Sequence, residues 1–120
     1  MADIFYNAIK QNAAMIKGDV LQFGFLIKGL GDTEPERLTF TCKKHVEDET
    51  PLFAANYPEQ ITLRSYDQEN DVYFYVCRIP PEFTANVQPG RYIYDLQIEA
   101  NTDVITLLTG HLEIEPDVTI

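Results

Sequence analysis

The sequence predicts an all-β fold, an immunoglobulin-like antiparallel β-sandwich of about seven strands. Apolar and polar residues alternate in several short runs, and turn chemistry recurs between those runs about every 8 to 12 residues. One further run, "VYFYVCRI", is apolar on both sides, as expected for a strand at the centre of a covered sheet.

In "VLQFGFLIK", Leu21, Phe23, Phe25 and Ile27 share one face while Gln22, Gly24 and Lys28 share the other, the period of a half-buried strand. "GLGDTEPE" breaks the run with turn residues. Leu38, Phe40 and Cys42 then alternate with Thr39, Thr41 and Lys43 in a second strand that ends in the charged stretch "KKHVEDETP". "VEDETPLFAANYPEQ" is read as a long connection, and Ile61 with Leu63 marks a short third strand.

"YDQEND" is a polar hairpin loop leading into the central fourth strand. Pro80 and Pro81 stop that strand, and one helical turn is expected near Glu82 to Ala85. After Pro89 and Gly90, Tyr92, Tyr94, Leu96 and Ile98 face one way and Arg91, Ile93, Asp95, Gln97 and Glu99 the other. The "EANTD" turn leads to "VITLLTGHLEIEP", a last strand or strand pair with a bulge expected at Gly110. Residues 1–17 fit either a short helix or an irregular edge segment and are expected to reach a partner, leaving residues 18–120 as the sandwich domain.

The 120 residues suit a single domain. With 19 acidic against 9 basic residues the net charge is −10, which repels nucleic-acid phosphates and anionic membrane surfaces and argues against both as partners. No apolar run approaches the roughly 20 residues of a membrane span, and the N-terminus lacks the apolar core of a signal peptide, so synthesis in the cytoplasm is expected.

Cys42 and Cys77 fall in apolar strand patterns and are expected as reduced core residues. Neither has a CxxC partner or a nearby histidine pair, so no metal is assigned. His45 and His111 are distant in sequence and no GxSxG motif supplies a nucleophile, so no catalytic residue is assigned. Two acidic groups, Asp67, Glu69, Asp71 and Glu47, Asp48, Glu49, lack the spacing of a calcium loop and read as solvated turn charges. Gly29 and Gly31 lack the flanks of a nucleotide-binding loop, and no cofactor is expected.

The tyrosines carry the remaining signals. Tyr92 and Tyr94 sit where an immunoglobulin-like sandwich places a tyrosine whose hydroxyl turns back to the backbone a few residues upstream. Tyr57, Tyr66, Tyr73 and Tyr75 are candidates for an aromatic face that binds carbohydrate, although no tryptophan is present to strengthen it.

The order "GDVLQFGFLI", "LTFTCKK", "ITLRSY", "VYFYVCRIPPEFT" and "QPGRYIYDLQIEANTDVITLLTGHLEIEPDVT" resembles the immunoglobulin-like domains of phage tails and baseplates, in particular the N-terminal domain of upper-baseplate adaptor proteins. The likeness covers residues 18–119, with Pro89 to Thr119 its most telling part. It implies a non-enzymatic structural or adaptor component of a phage or prophage tail or baseplate. Its partners would be other tail or baseplate proteins or further copies of itself, and it would be a virion component made in the bacterial host cytoplasm. The alternative expectation is a carbohydrate-binding module that uses the tyrosine-bearing face.

Overall fold

The computed structural model describes residues 9–31, 34–100 and 102–118. Nine strands are formed among them: β1 (Ile9–Lys10), β2 (Ala13–Ile16), β3 (Leu21–Lys28), β4 (Arg37–Lys43), β5 (Phe53–Asn56), β6 (Ile61–Asp67), β7 (Val72–Ile79), β8 (Gly90–Ala100) and β9 (Asp103–Glu115). A 3₁₀ turn at Pro81–Phe83 stands where one helical turn was expected. The larger sheet runs β1-β9-β8-β4-β5, with β2 also on β9, and the smaller runs β3-β7-β6. Two sheets packed face to face make the predicted all-β sandwich.

Alternation explains the main strands. Tyr73, Tyr75, Cys77 and Ile79 of β7 point inward, as do Leu38, Phe40 and Cys42 of β4 and Tyr92, Tyr94, Leu96 and Ile98 of β8. Phe40 lies at the centre, its ring 5.6 Å from Phe23, 5.0 Å from Tyr94 and 6.2 Å from Phe53. β7 is the middle strand of its sheet, as its two apolar faces suggested. Phe74 on its outer side covers Gly24, where a Cβ would stand 2.6 Å from the ring.

Several details depart from expectation. The long connection holds β5, a four-residue strand whose Phe53 and Ala55 enter the core. The third strand extends through Asp67 and is irregular between Leu63 and Ser65. β9 is one continuous strand, and its bulge lies at Leu107 instead of Gly110: Leu96 pairs with Leu108 and Gln97 with Thr106.

Of the N-terminal segment set apart in the sequence reading, residues 1–8 lie outside the described residues. Residues 9–16 belong to the sandwich. β1 and β2 both pair with β9 in parallel and in one register, so the fold is not wholly antiparallel. Together they form one edge strand interrupted at Gln11 and Asn12. Gln11 N–H donates to Thr109 O at 2.9 Å, the Asn12 side-chain oxygen accepts from His111 N–H at 3.0 Å, and Met15 is buried in the core. The chain then turns at Gly18, whose N–H donates to the fully buried Thr84 hydroxyl at 2.9 Å.

Gly110 therefore serves close approach. A Cβ there would stand 2.1 Å from Gln11 O, a backbone atom that cannot move without disturbing the pairing of β1 with β9. Gly110→Val is expected to lower stability by about 2 kcal/mol or more, in the range of overpacked sites, measured by urea denaturation. Wild-type stability in that variant would contradict the described register.

Candidate functional site

The four tyrosines proposed as a sugar-binding face do not form a surface. Tyr75 is 0% and Tyr73 8% exposed, because both lie on the inward side of the central strand; Tyr57 and Tyr66 are half-buried. Tyr66 stacks on Tyr73 at 4.1 Å, and Tyr57 meets Tyr75 edge-on at 5.8 Å. The hydroxyls of Tyr57, Tyr66 and Tyr73 secure the loop between β3 and β4. Tyr73 donates to Gly31 O at 2.5 Å, Tyr57 donates to Glu34 Oε1 at 2.9 Å, and Tyr66 donates at 3.3 Å to Asp71, whose carboxylate accepts the Gly31 N–H. Burial with a hydroxyl at the rim is the usual arrangement for tyrosine.

Tyr92 and Tyr94 divide the corner role. The Tyr92 hydroxyl donates to Gln88 O, four residues upstream, closing the corner that leads into β8. The Tyr94 hydroxyl instead donates to Gln11 O, tying β8 to the edge segment across β9.

The acidic turns use their own carboxylates locally. Asp67 accepts from the backbone N–H of Glu69 and Asn70 and from the Asn70 side chain, which holds its carboxyl below the ordinary value. Asp48 accepts the His45 N–H at 3.0 Å. Among the described residues no group of three or more His, Cys, Asp or Glu is placed to hold a metal ion. Cys42 and Cys77 are free and buried, and burial pushes both thiols up to about 12. They stay protonated at neutral pH and are poor nucleophiles. No helix of the described residues is long and apolar enough to cross a membrane.

Two surface features stand beside the larger sheet. The first is a groove of about 680 Å³ on the outer face of the larger sheet. Lys10, Thr109, Asp95 and Thr41 form one row across β1, β9, β8 and β4, and His111, Ile93 and Lys43 form the next. The Asp95 carboxylate is half-buried at the centre, with Gln97 Nε2 3.4 Å away as its hydrogen-bond donor. Partial burial raises its pKa, and nearby Lys43 opposes the shift.

The second is an apolar slit of about 550 Å³ where the larger sheet extends past β3. Phe23, Gly24, Phe25 and Leu26 line one wall, Ile9, Leu107 and Leu108 the other, and the core residues Phe40, Tyr94 and Leu96 the floor. Alternate residues of a strand point to opposite faces, so a cavity lined by four consecutive residues runs along the edge of β3. Among the described residues, no charged one lines the slit. Sequence periodicity could not reveal either feature, since both depend on which strands become neighbours.

No family model matches the chain, and no curated protein matches it. A solved structure of a family 123 glycoside hydrolase from Clostridium perfringens, concerned with glycolipid glycan hydrolysis, is similar with a TM-score of 0.54 and 13% sequence identity. The match covers 96% of this chain and 24% of that one, so this chain spans about a quarter of that enzyme's length. At that identity the likeness shows the fold alone.

The raised pKa of Asp95 has a defined consequence. Its folded value lies above the unfolded one, so the ionised group weakens the fold at neutral pH; the penalty fades as pH falls through the folded value towards the ordinary carboxylate value of about 3.9. Asp95→Asn is expected to raise the thermal midpoint modestly at pH 7, with the difference closing by about pH 4. A variant less stable than wild type at pH 7 would contradict this reading.

Proposed function

We propose that the chain is a non-enzymatic structural or adaptor component of a phage or prophage tail or baseplate, acting by packing against other proteins of the particle or further copies of itself. One observation carries the packing role: apolar side chains stand exposed on β1, β3 and β9, the strands about the place where the larger sheet extends past β3. Ile9 is 64% and Leu26 62% exposed at the slit, and Ile105, opposite buried Ile98 on the inward side of the sheet, is 45% exposed. Exposed apolar surface beside an apolar slit is the kind of feature that marks protein interaction sites. The resemblance of Pro89 to Thr119 to baseplate domains supplies the particle context.

A second reading, a carbohydrate-binding module, is favoured by the groove around Asp95. A half-buried carboxylate with Thr41, Thr109, Lys43 and Asn12 around it offers acceptors and donors suited to sugar hydroxyls. The site differs from the tyrosine face first expected.

Light scattering of the purified chain, alone and mixed with proteins encoded beside its gene, separates the two. A complex or oligomer of defined stoichiometry is expected, weakened about tenfold or more by Ile105→Asp. A monomer under every condition, combined with glycan-array binding that Asp95→Asn abolishes, would overturn the packing role in favour of the second reading.

A further inference from the structure

We propose that the open edge of β3 is a strand-acceptor site. Its occupant is an extended segment of another protein, apolar at alternate positions and basic at its ends, which pairs along β3 and lowers its apolar side chains into the slit. This rests on the packing role above and specifies how one contact is made.

Three observations carry it. First, β3 pairs with β7 on one side only, and among the described residues no strand pairs with its other side. Alternate residues of an eight-residue strand therefore present N–H and C=O groups outward, a template for a further strand. Second, the cavity beside that edge is apolar and reaches the core: Phe40 is 2%, Tyr94 6% and Leu96 0% exposed at its floor. Phe23 and Phe25 face inward on β3 yet remain half-buried, because no neighbouring strand of the described residues closes over them.

Third, the dimensions and charge select the occupant. Phe23 lies 5.6 Å from Phe40, which sets β3 above β4. In the order β1-β9-β8-β4, strands β9 and β1 then extend beyond it. At about 4.8 Å per strand, that overhang leaves room for an added strand above the larger sheet. A second copy of this chain would bring its own overhanging sheet into the same space, and two chains of charge −10 repel each other. A single extended segment avoids the first obstacle, and basic ends turn the second into an attraction. The uncharged lining sets the alternate apolar positions. Backbone pairing supplies affinity and the slit supplies selectivity, the division seen when peptides add to sheet edges.

The test uses the full chain and a synthetic peptide of about ten residues with valine and isoleucine at alternate positions and lysines at both ends. Three controls accompany it: a scrambled peptide, the same peptide methylated on alternate backbone nitrogens, and the chain lacking residues 1–8. Amide chemical shifts that move in β3 and β9, with affinity at least tenfold weaker for the Leu26→Lys chain and for the methylated peptide, are the expected result. Leu26 is exposed, so an unchanged thermal midpoint verifies that its variant remains folded.

Equal binding of the scrambled or methylated peptide overturns strand pairing. Binding that arises only after removal of residues 1–8 assigns the slit to the chain's own N-terminus and overturns a foreign occupant. Concentration-dependent dimers that Leu26→Lys disrupts would assign it to a second copy. No binding at millimolar peptide also overturns the acceptor site, while complexes formed with neighbouring gene products would leave the packing role standing through another face.

Discussion

The two sheets differ in width, and much of the molecule's surface follows from that mismatch. Three strands cannot cover a layer in which five strand positions lie side by side. Over β4 and β5 the core closes fully: Phe40, Cys42, Ala55, Tyr75 and Cys77 are almost completely removed from water. Beyond β3 the inward side chains of β9 lose their cover. Ile105 is left exposed and Leu108 half-buried, although their neighbours on β8, Ile98 and Leu96, are sealed. Apolar area left in contact with water costs about 25 cal/mol per Å², so this side gains most from a further layer.

Polar groups are arranged to hold the edges of this unequal pair. Tyr94 reaches across β9 to Gln11, and Gly110 lets that backbone come close. At one end, tyrosine hydroxyls and the Asp71 carboxylate fasten the loop between β3 and β4. Net hydrogen-bond contributions of about 1 kcal/mol each are modest, and their effect here is placement: they fix the loop at the end of β3. The proposed roles rest on this separation: the tyrosines tie down the loop between β3 and β4, while the slit and the Asp95 groove stay open.

Strands with strong alternation were legible in the sequence because each turns one apolar face inward. β3, β4, β7 and β8 fall where their patterns place them, and the burial of Tyr92 and Tyr94 follows from the same period. β5 was hidden because it offers only Phe53 and Ala55 as inward residues among charged and turn-forming neighbours, and alanine has weak β-propensity. The N-terminal stretch could be read only as a short helix or an irregular edge segment, and it is the edge segment that forms, because it is broken at Gln11 and Asn12 and gains its order from β9 nearly a hundred residues later. Gly110 suggested a bulge, yet a glycine in a strand equally marks close backbone approach, and only the tertiary neighbour decides between them. The tyrosine face failed for a related reason: Tyr73 and Tyr75 have the alternation of a buried face, and the Tyr73 hydroxyl is satisfied locally by Gly31 O.

Amide hydrogen exchange along β3 in the free chain tests the open edge most directly. The account predicts alternation: amides directed at β7 exchange slowly, while those between them exchange at rates close to those of exposed backbone. Uniform slow exchange of every amide from Leu21 to Lys28, in a chain shown to be monomeric and unliganded, would mean that the edge is already paired, and the account of an incomplete sheet would fail.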